Sequence, residues 1–194
     1  MRRWKRNRGN AVVEFAVTLP FLVLISVGVF AIGVVLDRHQ TVAQVVRHAG
    51  NMYGRGIDFT QDRNKSLLLQ AATGMEITPT GGRGAIYLSM VVKSPPNGLG
   101  ENRSNANRAV VAHRVVIGKA SVANSYIGMP SGVQSSGEVT DAEGENISAR
   151  ATLPPGLTLD PDERLFIAEV FHTPLDLGFT GIFAPRMLYS RAMF

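Results

Sequence analysis

The 194-residue sequence contains no cysteine, so a disulfide framework, a thiol nucleophile and a zinc site with cysteine ligands are excluded. It also lacks the HExxH pair of metalloproteases, the Gly-Lys-Ser/Thr end of a phosphate-binding loop and the GxSxG nucleophile elbow. The histidines at positions 39, 48, 113 and 172 are scattered, without the spacing of metal ligands. We therefore predict no catalytic residue, no metal site and no cofactor, and we expect that the protein is not an enzyme.

Acidic residues are absent from the leader, residues 1–9, whereas basic residues are concentrated there. The basic residues are Arg2, Arg3, Lys5, Arg6 and Arg8. The remaining 15 Lys and Arg equal the 15 Asp and Glu in number, so the formal charge of +5 belongs entirely to the leader. Nucleic acid is not indicated as a partner, because its recognition needs cations clustered on the folded domain. Cations ahead of an apolar run instead predict a cytoplasmic N-terminus.

Charge is also absent from residues 15–36, which are mostly apolar. About 20 apolar residues form a helix long enough to cross the hydrocarbon core of a bilayer. One alternative is a helix buried in a soluble core, but a small domain cannot easily exclude water from every face of it. Another is a cleaved secretory signal, but the run is longer than a usual signal and no small-x-small site closes it. We predict a transmembrane helix over residues 10–36 of a single-pass protein.

The residues after the apolar run favour an amphipathic continuation of the helix over residues 37–54. Gly54 and Gly56 are expected to end it, because glycine commonly follows a helix C-terminus. Pro20, inside the apolar part, removes one backbone hydrogen bond and is expected to bend the helix. In the continuation, apolar residues recur at the intervals of three and four that mark one helix face: Val42, Val45, Val46, Ala49 and Met52.

Residues 55–194 are expected to form an α+β head built on an antiparallel sheet. A short helix is predicted over residues 64–73, with Leu67, Leu68 and Ala71 facing inward. Residues 94–107 and 129–156 are predicted to be exposed loops, which either present a surface to partners or are mobile connections. Another loop is predicted over residues 174–181. Stretches rich in β-branched and aromatic residues predict strands over residues 85–92, 109–117, 165–172 and 187–193.

The junction between the leader and the apolar run reads RNRGNAVVEFA, from position 6 to position 16. It resembles the processing site of type IV prepilins, where a membrane peptidase cuts after a glycine that follows a basic leader. The resemblance implies a cut between Gly9 and Asn10, which makes Glu14 the fifth residue of the mature chain and Phe15 the sixth. A carboxylate at the edge of hydrocarbon is costly unless it is paired, and the new amine of a neighbouring subunit could pair with it. Alternatively, Glu14 is an interfacial charge that the helix dipole favours.

The order of these features is similar to that of TadE-like proteins of the tight-adherence pilus machinery. Beyond the apolar run, the likeness includes Gln40, Arg47, Ala49 and Gly50, in a Q-x6-R-x-A-G pattern, and the end of the chain from residue 168 onward. TadE-like proteins commonly carry a cysteine pair in the outer domain, which this sequence lacks. The resemblance implies a minor pilin or assembly pseudopilin of a Flp, type IVb-like, pilus that acts by helix packing.

The resemblance also implies partners and a location. The partners are the prepilin peptidase and other pilins or pseudopilins, and the location is the bacterial inner membrane, with a periplasmic head, or the extracellular pilus after assembly. A second interpretation is an uncleaved single-pass membrane protein whose head binds an envelope ligand or serves as an enzyme subunit. A third is an uncleaved relative that still joins the pilus machinery. Replacement of Gly9 or Glu14 separates the first two, because only the pilin interpretation predicts a loss of maturation or assembly.

Overall fold

The computed structural model describes residues 8–161, 163–174 and 187–194, with the backbone alone for residues 8–10. It confirms the predicted α+β fold, in which a long N-terminal helix precedes a small antiparallel head. The elements are α1 (Arg8–Gly54), α2 (Asp62–Ala71), β1 (Ile77–Thr78), β2 (Gly81–Gly82), β3 (Gly84–Lys93), β4 (Ala109–Gly118), β5 (Arg164–His172) and β6 (Leu188–Met193), with short 3-10 turns at Ala120–Val122 and Ile147–Ala149.

The chain divides into two compact units, one up to His39 and one from Gln40 to Phe194. In the first unit, α1 exposes most of its large apolar side chains. Its few hydroxyl groups are bonded within the helix, because Thr18 Oγ1 donates to the carbonyl of Glu14 at 3.0 Å and Ser26 Oγ donates to the carbonyl of Leu22 at 2.8 Å. Such bonds satisfy the hydroxyl groups of an apolar helix without the help of water.

The second unit begins with the last part of α1, whose apolar face is buried in the head. Val42, Val45, Val46, Ala49 and Tyr53 join a hydrophobic cluster with one face of the sheet. The apolar face predicted from the sequence is therefore the face that packs in the head. The helix has its last residue at Gly54, as expected from the sequence.

The end of α1 has the hydrogen bonds of a Schellman motif. The amide of Gly56 donates to the carbonyl of Tyr53 at 3.0 Å, and the amide of Ile57 donates to the carbonyl of Met52 at 3.1 Å. Gly56 has a φ of +81°, a left-handed conformation that glycine adopts without a steric penalty. The glycine that turns the chain out of the helix is therefore Gly56.

The four-stranded sheet has the order β4-β3-β5-β6, and every neighbouring pair is antiparallel. A bulge lies in β4 at Ala112, opposite the step from Met90 to Val91 in β3. One face of the sheet packs against α1. The opposite face carries two further clusters, in which strand residues such as Tyr87 and Ile167 pack with residues of the long loops such as Ile127. The head therefore has apolar packing on both faces of its sheet.

The predicted inward face of α2 was partly wrong. Leu68 is fully buried, but Leu67 is 48% exposed and Ala71 is exposed. Leu69 and Ala72 pack with Leu68 in the cluster beneath α1 instead. The buried stripe is rotated by one residue from the predicted one, because three successive leucines leave the helix phase undetermined.

The two segments predicted as exposed loops are mostly exposed, but each also contains buried residues. Ser94 and Asn105 are buried in the first segment, and Ala142 is buried in the second. The amide Nδ2 of Asn105 donates to the carbonyls of Ala142 at 2.9 Å and Asn146 at 2.7 Å, so the two segments are bonded to each other. Most of the loop predicted over residues 174–181 lies outside the described residues.

Candidate functional site

The predicted processing residues lie in the first turns of α1. The helix begins at Arg8, so Gly9 and Asn10 have helical backbone. Glu14 and Phe15 follow on the helix with exposed side chains. Within the part of the chain that the structure describes, no group donates a hydrogen bond to the Glu14 carboxylate. The leader residues Arg2, Arg3, Lys5 and Arg6 are outside the described residues.

The helix that follows has the length and composition of a membrane span. Among residues 8–161, 163–174 and 187–194, it is the one helix long and apolar enough to cross a bilayer. Its exposed surface includes Phe21, Leu24 and Phe30. A water-soluble surface rarely exposes so many large apolar side chains together, so this part of α1 belongs in lipid or against other apolar helices.

Gly50 makes a close contact that the sequence did not reveal. A Cβ placed on Gly50 would lie 2.6 Å from Cδ2 of Phe194 and still closer to Cε2. Phe194 is held there because its amide and carbonyl each bond to Phe166 at 2.9 Å. The Ala-Gly of the Q-x6-R-x-A-G pattern thus marks where the chain end packs on α1: Ala49 is fully buried and Gly50 makes room for the ring.

A buried carboxylate on β5 was also missed from the sequence. Glu169 is fully buried and accepts hydrogen bonds from the amide of Tyr126 at 3.0 Å, the hydroxyl of Tyr189 at 3.1 Å and the hydroxyl of Ser125. Burial, and then the nearby Glu169 carboxylate, raise the pKa of Tyr189 above its usual range. Because Glu169 has no access to solvent, it serves to hold the 125–126 segment on the sheet.

A buried guanidinium lies on the same sheet. Arg114 is 3% exposed, and its guanidinium carbon is 5.4 Å from the ring centre of Tyr87. Burial lowers the pKa of Arg114, and the Glu169 carboxylate opposes that shift. Its Nε and Nη2 atoms have no hydrogen-bond partner among the described residues. The charge is therefore stabilised by the aromatic ring and by the carboxylate rather than by a direct ion pair.

A cleft of about 420 Å³ opens at the C-terminal end of α1, within the second unit. The hydroxyl of Tyr53 lies 2.7 Å from Nδ1 of His113, and Nε2 of His113 lies 2.8 Å from the carbonyl oxygen of Ser136. Since a carbonyl only accepts, Nε2 donates to it, and in the tautomer that carries its proton on Nε2 alone, Nδ1 accepts from the Tyr53 hydroxyl. The lining residues are Tyr53, Gly56, Ile57, Asp58, Thr60, Met90, His113, Ser136, Arg164 and Phe166.

The cleft has the chemistry of a binding surface. Ser136 offers its carbonyl to His113, so the pair is not a nucleophile with its base. The Asp58 carboxylate accepts from the amide and the hydroxyl of Thr60, and these bonds lower its pKa. Within the described part of the chain, no three His, Asp or Glu side chains are placed to hold a metal ion. The cleft therefore offers a partner its apolar side chains and the guanidinium cation of Arg164.

The apolar helix and the head together define a single-pass membrane protein with an α+β head. The family described as TadE-like protein matches residues 9–50 of the chain. This match confirms the resemblance found in the sequence and connects the chain with the pilus-associated TadE-like proteins. Comparison with curated proteins and with solved structures finds no match in either set.

Proposed function

We propose that this protein is a minor pilin or assembly pseudopilin of a tight-adherence pilus, cut by a prepilin peptidase after Gly9. The observation that carries the proposal is the extent of the family match. It begins at Gly9, the residue after which the cut is expected, and it ends at Gly50, where α1 packs against the chain end. The matched segment is thus the new N-terminus, the apolar helix and its attachment to the head.

Glu14 gives this segment a means of selecting its neighbour. Its exposed carboxylate has no hydrogen-bond donor among the described residues, and it lies four residues from Asn10, about 6 Å along the helix axis. A carboxylate in that position is costly in hydrocarbon unless a cation pairs with it. In an assembly of helices, the amine of Asn10 on a neighbouring copy supplies the cation, and the pair fixes the helix register. Buried polar groups are known to specify register at some cost in stability.

The leader sets the orientation in this proposal. Its basic residues hold the N-terminus on the cytoplasmic side of the bacterial inner membrane, where the peptidase acts, and the head lies in the periplasm. The protein works by assembly and not by turnover. The polar groups at the cleft support this, because Tyr53, His113 and the Ser136 carbonyl are occupied in bonds to each other.

Processing is tested by intact-mass and N-terminal peptide analysis of the protein from native membranes. The expected chain starts at Asn10, and both Gly9→Val and loss of the peptidase should leave the leader attached. Gly28→Val is the matched control, because it makes the same change in the same helix at a glycine with no neighbour within 4 Å. A wild-type chain that retains residues 2–9 while pili form normally would refute the proposed cut.

Assembly is tested separately with Glu14→Gln. This variant should be processed normally but should lower pilus production, since it removes the charge that attracts the neighbouring amine. Glu14→Asp keeps the charge and should recover part of the lost production. Normal pilus production by Glu14→Gln would assign the residue to the alternative role of an interfacial charge.

A further inference from the structure

The tip of the loop between β3 and β4 presents a leucine directly to solvent. Leu99 is fully exposed and lies between Gly98 and Gly100. Glu101, two residues on, accepts hydrogen bonds from the Gly98 amide at 3.3 Å and from Nη2 of Arg103 at 2.6 Å, and these contacts lower its pKa. We call residues 98–101 the knob. It combines an apolar side chain with a charged carboxylate.

The cleft at the end of α1 has the complementary chemistry. Met90 and Phe166 form its half-buried apolar floor, and the ring of Tyr53 packs edge-on against Phe166 with 5.3 Å between the ring centres. Arg164 lines the same cleft with an exposed side chain, and that side chain has no ion pair or hydrogen bond to the described residues. The cleft can therefore receive an apolar group that is followed by an anion.

The knob and the cleft are at the same end of the sheet. β3 passes from Met90, in the cleft, to Lys93 and then directly into the loop that carries the knob. Arg164 pairs with Val92 at that end of the sheet. The full exposure of Leu99 shows that the knob does not fill the cleft of its own chain. Two copies related by a two-fold axis can therefore each place the knob in the cleft of the other.

We propose that two copies of this protein pair through their heads, with Leu99 of each copy docked in the cleft of the other and Glu101 facing Arg164. The pairing of Glu101 with Arg103 within one chain does not prevent this, because an exposed ion pair of this kind is weak and exchanges readily. Transfer of Leu99 from water to the apolar floor of the cleft favours the contact.

The proposed contact is small, since a stable interface between soluble proteins buries about 1,200–2,000 Å². Membrane anchoring offsets this, because copies held in one bilayer have a high effective concentration. In this respect the inference depends on the membrane anchor of the proposed function. The contact would then form between neighbouring copies in the membrane and would be weak for heads free in solution.

Disulfide trapping of the full chain tests the pairing, and the absence of native cysteine removes any background. One tagged copy carries Asn102→Cys beside the knob, and a second copy with a different tag carries Ser136→Cys in the cleft. Both positions are exposed. The two copies are reconstituted together in lipid vesicles and oxidised, and the dimer that carries both tags is measured. We expect this mixed dimer to form readily.

Charge reversal then identifies the contact. Arg164→Glu in the cleft copy should lower the mixed dimer by about fivefold, which corresponds to about 1 kcal/mol for one ion pair. Glu101→Arg in the knob copy should restore it. Leu99→Ala should also lower the yield, whereas Arg63→Glu, at an exposed arginine on α2, should leave it unchanged. Equal yields for all of these variants, or no mixed dimer at all, would overturn the proposal.

The outcome of the disulfide-trapping experiment does not depend on pilin processing. The vesicles contain no peptidase and no pilus machinery, and the N-terminal mass is measured separately on protein from native membranes. An uncut chain that still gives the charge-dependent dimer would refute the pilin proposal and leave the pairing. A chain cut after Gly9 that gives no dimer would support the proposed cut and refute the pairing.

Discussion

Gly50→Ala should destabilise the head by forcing the ring of Phe194 away from α1. The new Cβ would lie 2.6 Å from Cδ2 and 3.1 Å from Cζ of that ring, and closer still to Cε2. Contacts under 3.0 Å are essentially never made by real Cβ atoms, so the ring must move. The two hydrogen bonds with Phe166 hold the backbone of Phe194 in place, so the ring, which is 43% exposed, has to turn about its side-chain bonds.

Two opposing terms set the size of the effect. Overpacking costs about 1–3 kcal/mol, whereas alanine is favoured over glycine in a helix interior by about 1 kcal/mol. We therefore expect Gly50→Ala to lower the free energy of unfolding by up to about 2 kcal/mol when Phe194 is present. Phe194→Ala removes the ring, so in that background Gly50→Ala should raise the free energy of unfolding by up to about 1 kcal/mol.

Denaturant unfolding of the detergent-solubilised proteins, followed by circular dichroism, measures the four members of this double-mutant cycle. Gly54→Ala is the matched control, because its Cβ would meet only the Cβ of Phe194 at an ordinary distance of 3.5 Å. It should not destabilise the protein. If Gly50→Ala has the same effect with and without the ring of Phe194, the contact between Gly50 and the chain end is not the cause and the reasoning fails.

Three further predictions concern the head. Leu68→Ala should cost about 2–5 kcal/mol in chemical unfolding and Leu67→Ala about 0.5 kcal/mol or less, since Leu68 alone of the two is fully buried; equal losses would contradict the assigned helix face. Glu169→Gln should cost about 1–3 kcal/mol, because the amide cannot accept from all three donors, whereas Glu143→Gln on the surface should be neutral in the same assay. The raised pKa of Tyr189 means that this hydroxyl loses its proton at lower pH in the unfolded state than in the folded one, so the free energy of unfolding should fall as the pH rises above about 10. Tyr189→Phe should make that fall shallower between about pH 9 and 11. An unchanged slope would exclude Tyr189 as the cause of the fall.

Periodic patterns in the sequence predicted most of the elements of this fold. The strands were found because β-branched and aromatic residues are concentrated in segments bounded by glycine, proline and polar residues. The amphipathic part of α1 was found because one face of a helix repeats at intervals of three and four. Where the pattern is uniform, as in the leucines at positions 67–69, it does not determine which residues face inward. The predicted face of α2 was therefore off by one residue.

Buried polar groups could not be predicted from local sequence. Asn105 lies in a polar segment that has the composition of a surface loop, yet its side chain is buried by bonds to residues about 40 positions away. Glu169 is the only acidic residue in an apolar strand, and its donors come from positions 125, 126 and 189. In both cases the partners that make burial possible are distant in the chain.

The processing site and the cleft also differ in whether the local sequence reveals them. The processing site is a local motif, with Gly9, Glu14 and Phe15 within a few residues of each other, and the sequence alone predicts it. The cleft draws its lining from the end of α1, from β3, β4 and β5, and from the loop around Ser136. Only the fold brings these segments together, so no spacing in the sequence could have indicated the cleft.

The strand order has a consequence for how the protein reaches its folded state. The central strand β3 pairs with β5, so Gly84 lies beside His172. Until β5 has been synthesised, the sheet is incomplete, and Val42, Val45 and Ala49 lack part of their cover. Contacts between segments so far apart in sequence form slowly, because a long chain segment must first be closed into a loop. The apolar stripe on the second half of α1 is therefore exposed for most of the time that the chain is being made, and the head folds only after nearly all of the chain has been synthesised.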